Sequence, residues 1–155
     1  MNDLDHERYM RRAIELTANC PGLPFGAVVV HRPTGKVVAE GWNRTAENPT
    51  WHGEIDAINR LAAAAHAFDP GEFVLYATAE PCPMCQGAVL FAGIGTVVFG
   101  ASIRFLADTG WEQIEIPAEE IVRRAPGMRC LVVGGVLEEE CRDLFLAVGR
   151  AAPGR

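Results

Sequence analysis

Two short motifs constrain this chain more than any other feature. One is His52-Gly53-Glu54, entered through Asn48-Pro49-Thr50-Trp51; the other is Pro81-Cys82-Pro83-Met84-Cys85. Each sits where a helical pattern begins. Cys82 and Cys85 are three apart, so in a first turn they face the same way. His52 and Glu54 are two apart and share no helix face, but side chains of a first turn can lean over the helix end. A fold that aims both helix beginnings at one point therefore gathers an imidazole, two thiols and a carboxylate.

Three chemistries use C-x-x-C: a redox pair, half of a closed structural zinc site, and a catalytic metal site. A redox pair has no need of His52 or Glu54. A closed zinc site requires a fourth ligand, and Cys20, Cys130 and Cys141 show no paired spacing; they read as packing residues. Both rivals stay open but are disfavoured; if the two helix beginnings converge, His52, Cys82 and Cys85 give a three-ligand zinc site with its fourth position open. Zinc lowers the pKa of water at such a position to about 7. Helix N-termini favour thiolates, and Glu54 is left free to move protons.

The rest of the chain supplies a scaffold. Tyr9, Met10, Ala13, Ile14 and Thr17 recur at helical spacing over 5–18. Residues 25–30 read as a buried strand, with 37–42 as its hairpin partner across Arg32-Pro33-Thr34-Gly35-Lys36. Asn48 as cap and Pro49 as first residue predict a helix to about His66, with Ile55, Ile58, Leu61 and Ala62 as its apolar stripe. Further strands are predicted at 73–78, 96–99 and 129–133. Further helices are predicted from Pro81 to about Ala92, over 117–124 and over 137–148, and 102–116 reads as irregular. Strands joined through helices favour parallel pairing in a sheet covered on both faces, with ligands beyond the strand carboxyl ends. His6, His31 and His66 read as surface or helix-end residues.

Composition excludes several classes. At 155 residues, 49% hydrophobic and 22% charged, the chain suits one domain, 1–155, with a true core. Its longest apolar run, 61–67, is far below the roughly 20 residues of a membrane span. The start MNDLDHERYM has no apolar leader pattern. Five cysteines, an odd number, fit a reducing, cytoplasmic setting. A net charge of −6 gives no global field for tracking phosphates.

His-x-Glu followed by Pro-Cys-x-x-Cys is the pattern of zinc nucleobase deaminases. Together with PFGAVVV, EGWNR, NPT, LYATAEPCPMC, QGA and IGTVVFGAS, it makes the chain resemble the cytidine deaminase-like superfamily over most of its length. The resemblance implies a three-layer α/β/α sandwich around a five-stranded mixed sheet, with a β1-β2 hairpin and parallel β3-β4-β5. It implies a Zn2+-dependent hydrolase of cyclic amidines that releases ammonia, and a homodimer. Carried over by residue, Glu54 shuttles protons, Asn43 hydrogen-bonds the base or its sugar, and Phe25, Gly26 and Ala27 wall the pocket. Backbone groups at Gly53 and Glu80 contact the ring.

Other positions are read from their place in the chain. The Glu80 side chain, beside the ligands, is expected in the pocket. Trp51 reads equally as core or as a stacking surface. Phe105 or Trp111 is expected to close the pocket, with Asp108 as the nearest acid for a purine.

Substrate marks point two ways. TGWEQ at 109–113 resembles guanine deaminases, and Gly53 matches cytosine deaminases. EGWNR, IGTVVFGAS, PGM at 126–128 and GGVLEEEC resemble tRNA adenosine deaminases. RNA deaminases usually carry alanine at the position of Gly53 and a basic tail. Here the tail is GRAAPGR, and the long acidic and apolar IRFLADTGWEQIEIPAEE follows the fourth strand. A guanine-like free base is the favoured substrate. The alternatives are a tRNA adenosine, a cytosine, isocytosine or nucleoside, and an inactive partner subunit.

Overall fold

Gly26–His31 (β1) and Phe73–Ala79 (β3) are buried at every position. Strands covered on both faces have no polar side, which is why both read as nearly unbroken apolar runs. The structure, a computed structural model describing residues 3–149, places them inside a five-stranded sheet ordered β2-β1-β3-β4-β5. Lys36–Trp42 (β2) and β3 flank β1 antiparallel. Thr96–Ala101 (β4) and Leu131–Val133 (β5) extend the sheet in parallel from β3. This is the expected topology.

The pleat assigns neighbouring residues to opposite layers. Val28, Val30, Val74, Tyr76 and Val98 pack with Met10 and Ala13 of His6–Leu16 (α1) and with Cys141 and Phe145 of Glu138–Val148 (α6). Ala27, Val29, Leu75, Ala77 and Val97 pack with Ala57 and Leu61 of Gly53–Ala63 (α2) and Val89 of Pro83–Phe91 (α3). Three layers result.

Registers Gly26↔Trp42, Ala27↔Ala77 and Ala79↔Ala101 gather the start of β1 and the carboxyl ends of β2, β3 and β4 at one edge of the sheet. The first turns of α2 lie flat on this edge. A Cβ on Gly41 would stand 2.3 Å from the Ala57 nitrogen, and one on Gly53 2.6 Å from the Phe25 carbonyl oxygen. Only glycine permits either approach.

Four expectations need correction. The α2 helix starts at Gly53, not Pro49: the Asn48 side chain accepts from the backbone and hydroxyl of Thr50 and spends itself on a turn. The helix also ends at Ala63, short of His66. Residues 102–116 contain a helix, Ile103–Asp108 (α4), capped by Ser102 and too short to show a period; Ala118–Arg123 (α5) follows it. His31 is buried rather than on the surface, bonded to Thr34 and Glu72 and stacked on Phe68. Of the GRAAPGR tail, residues 150–155 lie outside the described residues.

Candidate active site

His52 and Cys82 occupy equivalent places. Each is the N-cap of its helix, with backbone angles of −64° and 165° for His52 and −65° and 168° for Cys82. Neither uses its side chain to cap the helix. This resolves the two-residue spacing of His52 and Glu54. His52 stands on extended backbone outside the helix and projects across its mouth, while Glu54 lies within the first turn.

His52 Nδ1 lies 3.5 Å from the sulfur of Cys82 and 3.5 Å from that of Cys85. Among the described residues, these three form the one His/Cys/Asp/Glu group whose donor atoms fall within 4.8 Å of one another. Zinc bonds of about 2.3 Å to sulfur and 2.0–2.1 Å to nitrogen, at a tetrahedral angle, place the two ligand atoms roughly 3.5 Å apart. The donors therefore fit zinc, and Nδ1 is the nitrogen that faces it.

The donor set itself calls for a cation. The Cys85 thiol is pushed well above its usual range, first by its hydrogen bond with Cys82, then by burial and by the nearby Glu54 charge. The expected favouring of thiolate by the helix end is outweighed in the protein alone, because electron-rich groups crowd one buried point. A dication reverses that balance.

Glu54 is 1% exposed, and its Oε2 meets no donor among the described residues. A second unmatched polar atom belongs to buried Asn43. Its Oδ1 accepts from the backbone N–H of Thr45 (3.1 Å) and the Thr45 hydroxyl (2.8 Å), which fixes the amide orientation. Nδ2, left without a partner, is a donor awaiting an acceptor.

The loop bearing Asn43 and Trp51 is tied to α2. The buried Asp56 carboxylate accepts from the Trp42 amide (3.1 Å) and pairs with Arg44 (3.4 Å) and Arg60 (3.3 Å). Arg44 grips Glu47, and its guanidinium lies 5.6 Å from the ring centre of half-buried Trp51. Sequence reading missed both Thr45 and Asp56. An acid one turn after His52, on the buried face of its helix, was the available signal.

The remaining predicted site residues make the following contacts. The Phe25 ring turns into the α1/α6 layer against Phe145 and Trp111, while its carbonyl accepts from the backbone N–H of Asn43. Gly26 abuts the Ala13 carbonyl, and Ala27 is core in the opposite layer. Trp111, 3% exposed, is a core residue beneath Phe25 and closes no rim. Phe105 packs at the edge of the same layer under Arg142. Asp108 is exposed and paired with Arg104. The Glu80 carboxylate is consumed by backbone donors, accepting from Ile103 N (2.8 Å) and Ala118 N (2.9 Å).

A cavity of about 210 Å³ lies beside Glu80, lined also by Ile103, Arg104, Glu115 and Pro117. Neither this cavity nor the larger clefts beside β5 and between α1 and α6 are lined by any of the three metal donors, so donor chemistry locates the site better than volume does; the smaller cavity adjoins it through Glu80, two residues before Cys82.

Residues 3–101 match the model of the cytidine and deoxycytidylate deaminase zinc-binding region, a span that includes all three donors. The chain is 35% identical over 131 residues to guanine deaminase of Bacillus subtilis (strain 168), covering 76% of this chain and 81% of that protein. It is 33% identical over 149 residues to the tRNA-specific adenosine deaminase of the same strain, covering 93% and 88%. Among solved structures, a mutant of NE0047 in complex with 8-azaguanine superposes with a TM-score of 0.80 at 27% identity, over 94% of this chain and 84% of that one.

Proposed function

Because the chain belongs to the cytidine and deoxycytidylate deaminase zinc-binding family, we propose that it hydrolyses the exocyclic amine from a guanine-like free base, releasing ammonia. The observation carrying this is the grouping of three zinc donors within 4.8 Å of one another beside a buried Glu54 whose Oε2 meets no donor among the described residues. His52, Cys82 and Cys85 would hold a zinc ion, which when bound would lower the pKa of water to about 7. Glu54 would take one proton from the attacking water at Oε2 and pass it to the ring nitrogen, then take a second from the newly added hydroxyl and pass it to the amine, which departs as ammonia as the C–N bond breaks. Asn43 donates Nδ2–H to an acceptor on the base and orients it. Trp51, backed by Arg44, forms the rim.

The guanine preference draws on the relatives and on charge. A guanine deaminase is among the similar proteins, and a related structure holds 8-azaguanine. Guanine presents its ring N–H and 2-amino donors side by side, and a carboxylate accepts both. Glu115 on the cavity wall offers one; Asp108 does not. Arginines that could grip an RNA backbone are engaged within the protein. Arg11 pairs with Glu140, Arg12 with Glu40 and Glu15, and Arg123 and Arg124 with Glu120. The match to a tRNA-specific adenosine deaminase keeps one rival in the test.

Ammonia release across guanine, cytosine, isocytosine, adenine, their nucleosides, ammeline and an anticodon stem-loop decides the matter. Guanine is expected to lead. Release from the stem-loop alone would overturn the free-base reading, and zinc-loaded protein silent on all would make the chain an inactive partner subunit.

We read residues 1–155 as one domain that works as a homodimer in the cytoplasm. Exposed Met84, Phe91 and Leu131 offer apolar surface for a second copy, and sedimentation at the monomer mass would refute it. None of the five cysteines, all among the described residues, is joined in a disulfide, which suits a reducing compartment. No helix among the described residues is long and apolar enough to cross a membrane.

A further inference from the structure

We propose that Glu80 is a positioning residue: its carboxylate clasps the 103–118 segment against the loop that leads into the metal donor Cys82, and so sets how tightly the pocket holds its ligand. Glu80 is 6% exposed and stands two residues before Cys82. Its Oε2 accepts from Ile103 N at 2.8 Å and its Oε1 from Ala118 N at 2.9 Å. Its own N–H donates to Ala101 O at 2.8 Å, anchoring it to β4. One side chain thus joins three stretches separated by 23 and 38 residues.

The two donors are not arbitrary. Ile103 and Ala118 are the first residues of α4 and α5, where backbone N–H groups lack intrahelical acceptors. Both helices are six residues long, too short to hold themselves in water. A buried carboxylate gives each start a charge-assisted bond. Between them the chain turns at Gly110 (φ 93°) and returns through Glu115 and Pro117, which line the cavity with Glu80, Ile103 and Arg104. Both ends of that wall hang on one carboxylate. An exposed or substrate-binding role for this side chain leaves two buried amides without acceptors; the clasp satisfies both.

The ligand arm of the test rests on the deaminase reading; the exchange arm does not. In the zinc-loaded full chain, Glu80→Gln sets an amide NH2 against a backbone N–H. Hydrogen exchange at Ile103 and Ala118 is expected to quicken by about tenfold or more, with β3 and β4 still protected. KM for guanine is expected to rise about tenfold while kcat moves less than about threefold, with zinc retained. Glu80→Asp, which keeps the charge, recovers part of each loss. Unchanged exchange and KM in Glu80→Gln overturn the proposal. So does a joint fall in melting temperature, zinc content and kcat with KM unmoved. Should Glu80→Gln fail to fold, the wild type decides: Ile103 and Ala118 amides exchanging as fast as those of 112–116 overturn the clasp. Should the wild type release no ammonia from any base, the functional reading fails and the exchange data still judge Glu80.

Discussion

An acceptor buried without a donor costs about 1–3 kcal/mol, and Glu54 Oε2 is such an atom. Packing gives no reason to keep it; the proposed proton transfer does. Glu54→Ala is expected to retain stoichiometric zinc and to lose at least about 10²-fold in turnover, read by metal analysis beside ammonia release. Cys85→Ala removes a donor and should lose the metal; full zinc content in that variant would exclude Cys85 from the ligand set. Glu115→Gln swaps one acceptor oxygen for a donor and should raise KM for guanine more than for adenine, so equal changes would take Glu115 out of recognition. The metal donors were legible because the residue types themselves carry that chemistry. Glu80 was not legible, since its partners are backbone amides far along the chain and no side-chain pattern records them. Gly53, read as a mark of substrate class, has a packing cause: a Cβ there meets the Phe25 carbonyl oxygen at 2.6 Å.

Elements place these atoms. Helix α2 reaches the sheet edge because Gly41 lets its backbone approach β2, and the Ala57 nitrogen stands 2.3 Å from where a Cβ would be. Gly41→Ala must push α2 outward and carry His52 with it. A loss of about 1–3 kcal/mol in urea unfolding is expected, together with weaker zinc binding in a competition titration. Unchanged zinc affinity would show that His52 is positioned independently of this contact. The helix starts themselves were misjudged by up to four residues. Asn48-Pro49 carries the right residues for a cap, but the Asn48 oxygen is taken by Thr50. Cap propensity is local, whereas the cap realised depends on where the helix docks. Helix α4 escaped notice because six residues hold too little apolar periodicity.

Across the whole molecule, metal and proton linkage set stability. Zinc binds the folded chain's gathered donors, so it should add about 2.7 kcal/mol of stability at a free concentration 100 times Kd, with the melting temperature rising on zinc addition and falling on chelation. Protons act at His6, whose Nδ1 lies 2.8 Å from the hydroxyl of buried Tyr76. Burial, then Arg32, lowers its pKa below 6.5, against smaller opposing effects of Asp3 and Asp5. The folded state therefore favours neutral His6. Its contribution is present above the unfolded value and is lost as pH falls through the folded one. Urea midpoints of wild type and His6→Gln should converge on acidification below 6.5; a constant gap would exclude His6 from acid sensitivity. Sequence alone determined which donor types could meet and that the strand at 25–30 lies inside, because ligand chemistry belongs to side chains and two-sided burial leaves an unbroken apolar run. Tertiary structure alone decided what Glu80, Trp111, Asp108 and Gly53 do. Each answer depends on a backbone group or an opposing layer brought near by folding, and a linear pattern of side chains holds no trace of either.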